Sequence, residues 1–293
     1  MRTLRGSVWS MCRSWGTLGI VVCLSVLTLL ELTGCAGVAQ SIGEINLIST
    51  QEEVEMGARF AEEIEKDLEL LDDPELTSYV NSVCQNLARH SKRRDIEYAV
   101  KIVRSDEINA FAVMGGFMYF NVGFLRASES ESELAGVVGH EIGHIVGRHS
   151  AKHLSKQLGI AMIADLILGE NPAMLESLVA NVLAMGAMMH YSREAEREAD
   201  AYAIEEMVGA GYDPEGLVTF FEKIRELEKR TPGAVERFFA THPPTEERLE
   251  TARMRIAAIG DRSQLRSDSR EFHQMMERLP APPSEEAGQE EPD

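Results

Sequence analysis

Residues 139–144 read Gly-His-Glu-Ile-Gly-His and contain the pattern H-E-x-x-H at His140, Glu141 and His144. Residues 132–138, just before it, place apolar and small residues at helical spacing, so we predict that the pattern lies in a helix. Residues four apart share one face of a helix, which allows both imidazoles to bind one metal ion. Glu141 would lie beside that ion and could take a proton from water. The stretch therefore predicts a metal site with an adjacent general base.

The same pattern is typical of zinc metallopeptidases, in which zinc lowers the pKa of its water and the glutamate acts as base. A catalytic zinc site needs three protein ligands and an open position, so a third ligand is required. The candidates, about fifty residues further on, are Glu194, Glu196 and Glu198. Composition does not separate them, and helical spacing shows only that Glu196 and Asp200 share a face.

Two further motifs complete a family resemblance: S-R-x-x-E-x-x-x-D at residues 192–200 and T-H-P at residues 241–243. With H-E-x-x-H they resemble the membrane-associated zinc metallopeptidases that include the CaaX prenyl proteases, the HtpX heat-shock peptidases and the periplasmic BepA-type lipoprotein peptidases. The resemblance covers roughly residues 50–259. It implies that Glu196 is the third zinc ligand and that Asp200 orients a ligand histidine through its distal nitrogen.

The resemblance also places His242 near the metal. There it either donates to the oxyanion of the tetrahedral intermediate or binds zinc as a fourth ligand and shuts the enzyme. Arg248, in the same motif, either fixes that loop or senses substrate. His149 and His153 are interpreted as a helix C-terminus that complements the helix dipole.

The segment before the metal helix corresponds to the family pattern N-A-F-A-x-P-G-G at residues 109–116, with Met114 where proline is usual. We predict that the strand after it, residues 117–122, is an edge to which an extended peptide can dock. The alternative is an internal strand.

The predicted fold class is mainly α with a small β-sheet (α+β), a zincin-like metallopeptidase domain with the H-E-x-x-H helix and a second, glutamate-bearing helix. A capping box at Thr50 to Glu53 opens a helix to about Leu71. Residues 158–189 predict a helical hairpin broken at 169–172, as core or lid, with membrane contact as the alternative. The other predicted elements are strands at 96–104 and 117–122 and helices at about 74–90, 130–149, 192–208, 214–229 and 245–259.

The N-terminus has the organisation of a bacterial lipoprotein signal peptide, residues 1–34. Arginines precede an apolar run at residues 15–30, and Leu-Thr-Gly-Cys at residues 32–35 is similar to a lipobox. We therefore predict lipidation of Cys35 and a tether over residues 35–49. Ala36 is not the Asp that retains lipoproteins in an inner membrane. In a Gram-negative cell this implies the periplasmic face of the outer membrane.

The chain of 293 residues has a net charge of −19, and loss of three Arg and one Glu with the signal leaves −21. Nucleic acid is an unfavourable partner for so acidic a protein. Cys84 is the single cysteine after Cys35, and we predict that it is buried. The predicted organisation is a metallopeptidase domain at 50–260, a C-terminal helix at 261–279 and a disordered tail at 280–293.

These observations predict a lipid-anchored endopeptidase with one Zn²⁺ per chain and protein or peptide substrates. The resemblance implies misfolded or stalled envelope proteins as those substrates. Docking through the tetratricopeptide repeats of BepA-type relatives is not expected. One alternative is a chaperone-like binding protein with a shut or structural metal site, and another is a metal-dependent hydrolase that acts on other bonds. Glu141 argues against a purely structural zinc, which has no use for a base.

Overall fold

The computed structural model of the chain describes residues 48–158, 160–169, 171–185, 191–233 and 235–282. The predicted signal peptide, Cys35 and the tail beyond residue 282 lie outside the described residues.

Helices around one short sheet make up the described part of the chain, which confirms the predicted fold class. The helices are α1 (Thr50–Ile64), α2 (Pro74–Ala88), α3 (Val122–Ala127), α4 (Glu131–Val146), α5 (His149–Gln157), α6 (Ile160–Leu168), α7 (Pro172–Met185), α8 (Arg193–Gly209), α9 (Glu215–Arg230), α10 (Glu236–Thr241), α11 (Glu246–Ala257) and α12 (Arg270–Met276). The strands are β1 (Ala99–Val103), β2 (Ala110–Val113) and β3 (Phe117–Asn121), and a 3₁₀ turn at Met114–Gly116 joins β2 to β3.

Helix α1 begins one residue earlier than predicted. Its capping box is formed by Ser49 and Glu52: the Ser49 hydroxyl accepts from the Glu52 N–H at 3.2 Å, and the Glu52 carboxylate accepts from the Ser49 N–H at 2.7 Å. Glu53, the predicted capping glutamate, is instead buried and pairs with Arg93 at 3.0 Å and Arg148 at 2.7 Å. Because two arginines hold this carboxylate inside the domain, it cannot reach back to cap the helix. The helix also ends at Ile64, short of the predicted Leu71.

The sheet has the order β1-β3-β2, so β3 is its central strand. It pairs in parallel with β1 and antiparallel with β2, and Met118 lies between Val100 and Ala112. The prediction that this strand is a docking edge is therefore wrong, because neighbouring strands occupy both of its hydrogen-bonding edges. Strand β2 is only four residues long and was not predicted separately from the turn that follows it.

The outer edge of β1 is partly covered by the chain before α2. The Leu71 N–H donates to the Ile102 carbonyl at 2.8 Å, and the Arg104 N–H donates to the Glu69 carbonyl at 2.7 Å. Since β1 is covered, the other edge of the sheet is carried by β2 among the described residues. This strand packs against the metal helix α4.

The predicted hairpin is present as α6 and α7, with the break where the sequence placed it. Ile163 and Leu166 of α6 are buried in one apolar cluster with Met56 of α1. Arg59 donates to the carbonyls of Leu166 at 2.8 Å and Ile167 at 2.5 Å, which satisfies groups that a helix C-terminus leaves unpaired. None of the helices within the described ranges combines the length and the apolar character needed to cross a membrane.

The chain beyond residue 260 packs against the main core. The predicted C-terminal segment contains α12, whose Phe272 is buried in the same cluster as Leu76 and Tyr79 of α2. Arg126 donates to the Pro280 carbonyl at 2.8 Å, so the first residue of the predicted tail is tied to the domain. Cys84 is buried in this core as a free thiol, as predicted, and burial raises its pKa.

Candidate metal centre and active site

Helix α4 carries His140 and His144 through the middle of the domain. Ser130 caps its start by accepting from the Glu133 N–H at 3.3 Å, and residues 131–145 are all buried. The helical spacing brings the two imidazoles together as predicted, with their Nε2 atoms 3.0 Å apart. Two basic ring nitrogens that face each other away from solvent form one half of a metal site.

Glu196 of α8 is the candidate glutamate that the structure brings to these histidines. Its carboxylate is fully buried, with Oε1 at 3.3 Å from His144 Nε2 and Oε2 at 3.5 Å from His140 Nε2. Glu194 lies exposed on the same helix. Burial opposes ionisation of Glu196, but His242 and His144 outweigh it and hold its pKa well below the usual value. The carboxylate is therefore ionised, as a metal ligand must be.

The glycines of α4 allow α8 to come this close. A Cβ atom on Gly143 would lie 2.5 Å from the Ala199 carbonyl oxygen, and one on Gly139 would lie 3.3 Å from Ala203 Cα. Backbone therefore packs directly on backbone at Gly143, one position before the second histidine. At Gly143 only a hydrogen atom lies between the two helices. The side chain of Glu196 can therefore reach the ligand histidines.

His242 follows α10 and enters the same cluster. Its Nδ1 is 3.2 Å from His140 Nε2 and 3.3 Å from Glu196 Oε1. Ligand atoms of His140, His144, Glu196 and His242 all lie within 4.8 Å of one another, and the four residues are buried.

The donor set fits a tetrahedral metal ion. Zinc bonds of about 2.0–2.1 Å imply ligand atoms about 3.3 Å apart in a tetrahedron. Five of the separations between these nitrogen and oxygen atoms lie between 3.0 and 3.5 Å. Imidazole nitrogens and a carboxylate oxygen are also ligands that zinc prefers. The cluster therefore indicates a metal ion.

Asp200 and Arg248 hold the first ligand histidine. Asp200 Oδ1 is 2.9 Å from His140 Nδ1, on the side of the ring away from the ligand cluster. Arg248 is itself buried and donates to Asp200 from Nε at 2.9 Å and from Nη2 at 2.8 Å. Its Nη1 lies 2.6 Å from Glu196. Of the two roles considered for Arg248, the contacts favour fixing the loop, because Arg248 donates to the Pro243 carbonyl at 3.0 Å. It also holds the carboxylates of Asp200 and Glu196.

These contacts shift the pKa values in opposite directions. Burial alone would raise the pKa of Asp200, but Arg248 and His140 lower it to about 2. Burial alone would lower the pKa of His140, but Asp200 and Glu196 raise it to about 9. The carboxylates thus hold a positive charge at His140, and a metal ion that binds there displaces the proton.

Glu141 lies beside the cluster without joining it. Its carboxyl group is buried, and burial raises its pKa, which is the direction expected for a general base matched to neutral pH. The backbone amide of Ala112 in β2 opposes this shift. Among the described residues, Glu141 Oε1 accepts no hydrogen bond and lies 3.5 Å from His242 Nε2. A buried oxygen with no donor is free to receive a proton.

The interpretation of His149 as part of a helix C-terminus is wrong. Helix α4 ends at Val146, Arg148 adopts a left-handed backbone with φ 54°, and His149 begins α5. His149 Nδ1 lies 2.9 Å from His144 Nδ1, and its Nε2 lies 3.2 Å from Glu198 Oε2. Glu198, one of the three candidate third ligands, therefore contacts His149 and is not part of the ligand cluster. The sequence signal for this helix end is Gly147, since glycine often ends a helix.

Sequence comparison agrees with this geometry. The sequence model of peptidase family M48 matches residues 74–256, which contain the four clustered residues and Glu141. The chain belongs to peptidase family M48. The predicted family resemblance is thereby confirmed, and the M48 match covers more than half of the chain.

Several metallopeptidases are similar to this M48 chain. The beta-barrel assembly-enhancing protease of Escherichia coli (strain K12) is 31% identical over 239 residues, which cover 78% of this chain and 47% of that protein. The mitochondrial metalloendopeptidase OMA1 of Arabidopsis thaliana is 28% identical over 183 residues, 62% of this chain and 36% of the relative. Metalloprotease YcaL of Escherichia coli (strain K12) is 30% identical over 161 residues, 54% of this chain and 62% of the relative. The chain thus spans about half the length of the first relative.

Proposed function

We propose that the protein is a zinc-dependent endopeptidase in which His140, His144 and Glu196 bind the metal. The observation that carries the proposal is the buried cluster of ligand atoms with the Glu141 carboxylate beside it, one oxygen of which accepts no hydrogen bond from the described residues. A structural metal site would not need that carboxylate. Asp200 positions His140, and Arg248 holds Asp200 and Glu196 in place.

Glu141 takes a proton from the attacking water and returns it to the leaving amine. A zinc ion bound at the cluster supplies Lewis acidity and lowers the pKa of water to about 7. The backbone amide of Ala112 in β2 favours the ionised form of this carboxyl group, in which it can take a proton. Burial keeps bulk water away from this carboxyl group, and the raised pKa lets it carry the proton between the two steps.

Strand β2 supports a peptide as substrate over other hydrolysable bonds. It lies at the edge of the sheet, and the backbone amide of Ala112 in this strand lowers the pKa of the Glu141 carboxyl group. An extended peptide that adds to a strand edge gains main-chain hydrogen bonds and passes next to the base. This edge, rather than β3, is where we place the substrate.

The test of the proposal is cleavage of casein with and without a zinc chelator. We expect cleavage that the chelator abolishes and added zinc restores, because the cluster loses its Lewis acid. Metal analysis of the purified protein should give one zinc per chain. Suppression of client aggregation without any cleavage, in protein loaded with zinc, would support the chaperone-like alternative instead.

For His242 we propose the role of a fourth ligand that shuts the site. Support comes from its Nδ1, which lies among the ligand atoms and not beyond them. We expect His242→Ala to raise the casein cleavage rate severalfold, since it opens a coordination position for water. A fall in rate with zinc content unchanged would contradict this and favour donation to the oxyanion.

We further propose that the protein works at the cell envelope as a lipoprotein and acts on envelope proteins. The name of the 31% identical relative, a beta-barrel assembly-enhancing protease, supports such substrates. The periplasmic face of the outer membrane is the location implied by Cys35 and Ala36.

We expect Cys35→Ser to release the protein from the membrane fraction or to leave it unprocessed. Lipidation adds about 0.8 kcal/mol per buried CH₂, so loss of the acyl chains removes the main anchor. Sedimentation of membranes followed by immunoblotting measures the result. If the processed variant still sediments tightly with membranes, the anchor lies elsewhere, and the α6–α7 hairpin becomes the first candidate.

A further inference from the structure

His149 is outside the proposed ligand set, yet its ring contacts one of the ligands. Its Nδ1 lies 2.9 Å from His144 Nδ1, and the two ring planes meet at 74°. His149 is 5% exposed, so water does not compete for this contact. When His144 Nε2, which faces His140 and Glu196, binds a metal ion, Nδ1 is the nitrogen of His144 that carries the hydrogen.

The hydrogen positions along this contact are then determined. The Nδ1–H of His144 donates to His149 Nδ1, which leaves the hydrogen of His149 on Nε2. That Nε2–H points to Glu198 Oε2 at 3.2 Å, and Glu198 Oε1 accepts from the Tyr202 hydroxyl at 3.0 Å. Every donor in the series meets an acceptor, and the series ends on a carboxylate.

The backbone between the two histidines is shaped to fold His149 back over His144. Arg148 has φ 54°, a conformation that is uncommon for a residue with a side chain. Its guanidinium compensates by pairing with Glu53 at 2.7 Å and donating to the Ile48 carbonyl at 2.5 Å. The ring of His149 then lies over Gly147, where a Cβ atom would be 2.3 Å from His149 Nε2. Only glycine at position 147 leaves room for the ring.

We propose that His149 is a positioning residue that fixes the tautomer and ring orientation of His144 for metal binding, with Glu198 behind it. The two ligand histidines would then be held differently, His140 directly by Asp200 and His144 through an intervening imidazole. This inference rests on the proposed metal site. It adds residues that H-E-x-x-H and the glutamate motif do not contain.

Two substitutions at position 149 separate hydrogen bonding from packing. His149→Phe keeps a ring but has no acceptor for His144, so we expect zinc affinity to fall about 10–100-fold, the usual effect of losing such a partner. His149→Asn can place an amide oxygen near the position of Nδ1, so its affinity should stay within a few fold of the unsubstituted protein. Competition with a chromophoric chelator measures the dissociation constant. The absorption spectrum of the cobalt-substituted protein reports the ligand geometry, which we expect to change only in His149→Phe.

Three further variants test the contact if His149→Phe does not fold. Gly147→Ala keeps His149 but pushes its ring away, and should weaken zinc binding in the same direction. Glu198→Gln removes the terminal carboxylate and should weaken zinc binding severalfold, whereas the exposed Glu194→Gln on the same helix should leave it unchanged.

The outcomes distinguish this inference from the proposed function. If His149→Phe and Glu198→Gln bind zinc as tightly as the unsubstituted protein while His144→Ala loses it, the metal site stands and the positioning role of His149 is wrong. If His144→Ala also keeps full zinc affinity, the proposed metal site itself is wrong. A lower melting temperature of zinc-free His149→Phe with unchanged zinc affinity would assign His149 a purely structural role and overturn the inference.

Discussion

Glu141→Gln is expected to lower the turnover of casein at least about 100-fold, the usual contribution of a general base, while one zinc per chain stays bound. The amide cannot take the proton from water, but the three proposed ligands are untouched. The side chain is buried and glutamine has nearly the same size, so it should keep its place. Since burial already disfavours the charged form of Glu141, its loss should not unfold the protein.

Zinc analysis, turnover and thermal melting of the same preparation measure this result. Glu194→Gln is the matched control, because it makes the same chemical change at an exposed position of α8. Retention of more than a few per cent of turnover in Glu141→Gln would show that another group acts as the base. Loss of zinc from that variant would instead place Glu141 among the ligands.

The second large effect is expected for Glu196→Gln, which should lose zinc and activity together. A neutral amide replaces an anionic ligand at 3.3 Å and 3.5 Å from the two histidine nitrogens. Losing a residue that merely orients a ligand costs about 10–100-fold in affinity, so loss of a ligand should cost at least about 100-fold. The variant also leaves the Arg248 Nη1 atom without its carboxylate partner at 2.6 Å.

Titration with zinc, followed by the cleavage assay at saturating metal, measures both quantities. Glu194→Gln should bind zinc like the unsubstituted protein. Zinc retained by Glu196→Gln and lost from Glu194→Gln would mean that the register of S-R-x-x-E-x-x-x-D does not apply to this chain. The site would then need another third ligand.

Local signals in the sequence were sufficient for the metal helix and for most helices. His140 and His144 are four residues apart, so helical geometry alone brings their rings together. Glu196 required the family motif, because three glutamates at alternate positions look alike in composition. What separates them in the molecule is long-range packing, in which Gly143 and Ala199 bring α8 onto α4 and bury Glu196.

Contacts that depend on tertiary structure could not be predicted from spacing. Glu53 follows the capping rule as well as Glu52 does, and only the distant Arg93 and Arg148 decide which of the two caps the helix. The central position of β3 depends on β2, a strand too short to show alternation. His149 required the left-handed turn at Arg148, since no helix brings residues five apart into ring contact.

The backbone on both sides of His242 is fixed, which limits how the imidazole can leave the ligand cluster. The His242 N–H donates to the Phe238 carbonyl at 2.8 Å, and Arg248 holds the Pro243 carbonyl at 3.0 Å. Because the same guanidinium holds Glu196 and Asp200, a swing of the whole loop would disturb the metal ligands themselves. Rotation about the side-chain torsions of His242 disturbs none of them. If His242 shuts the centre as proposed, rotation of this one side chain would be enough to open it.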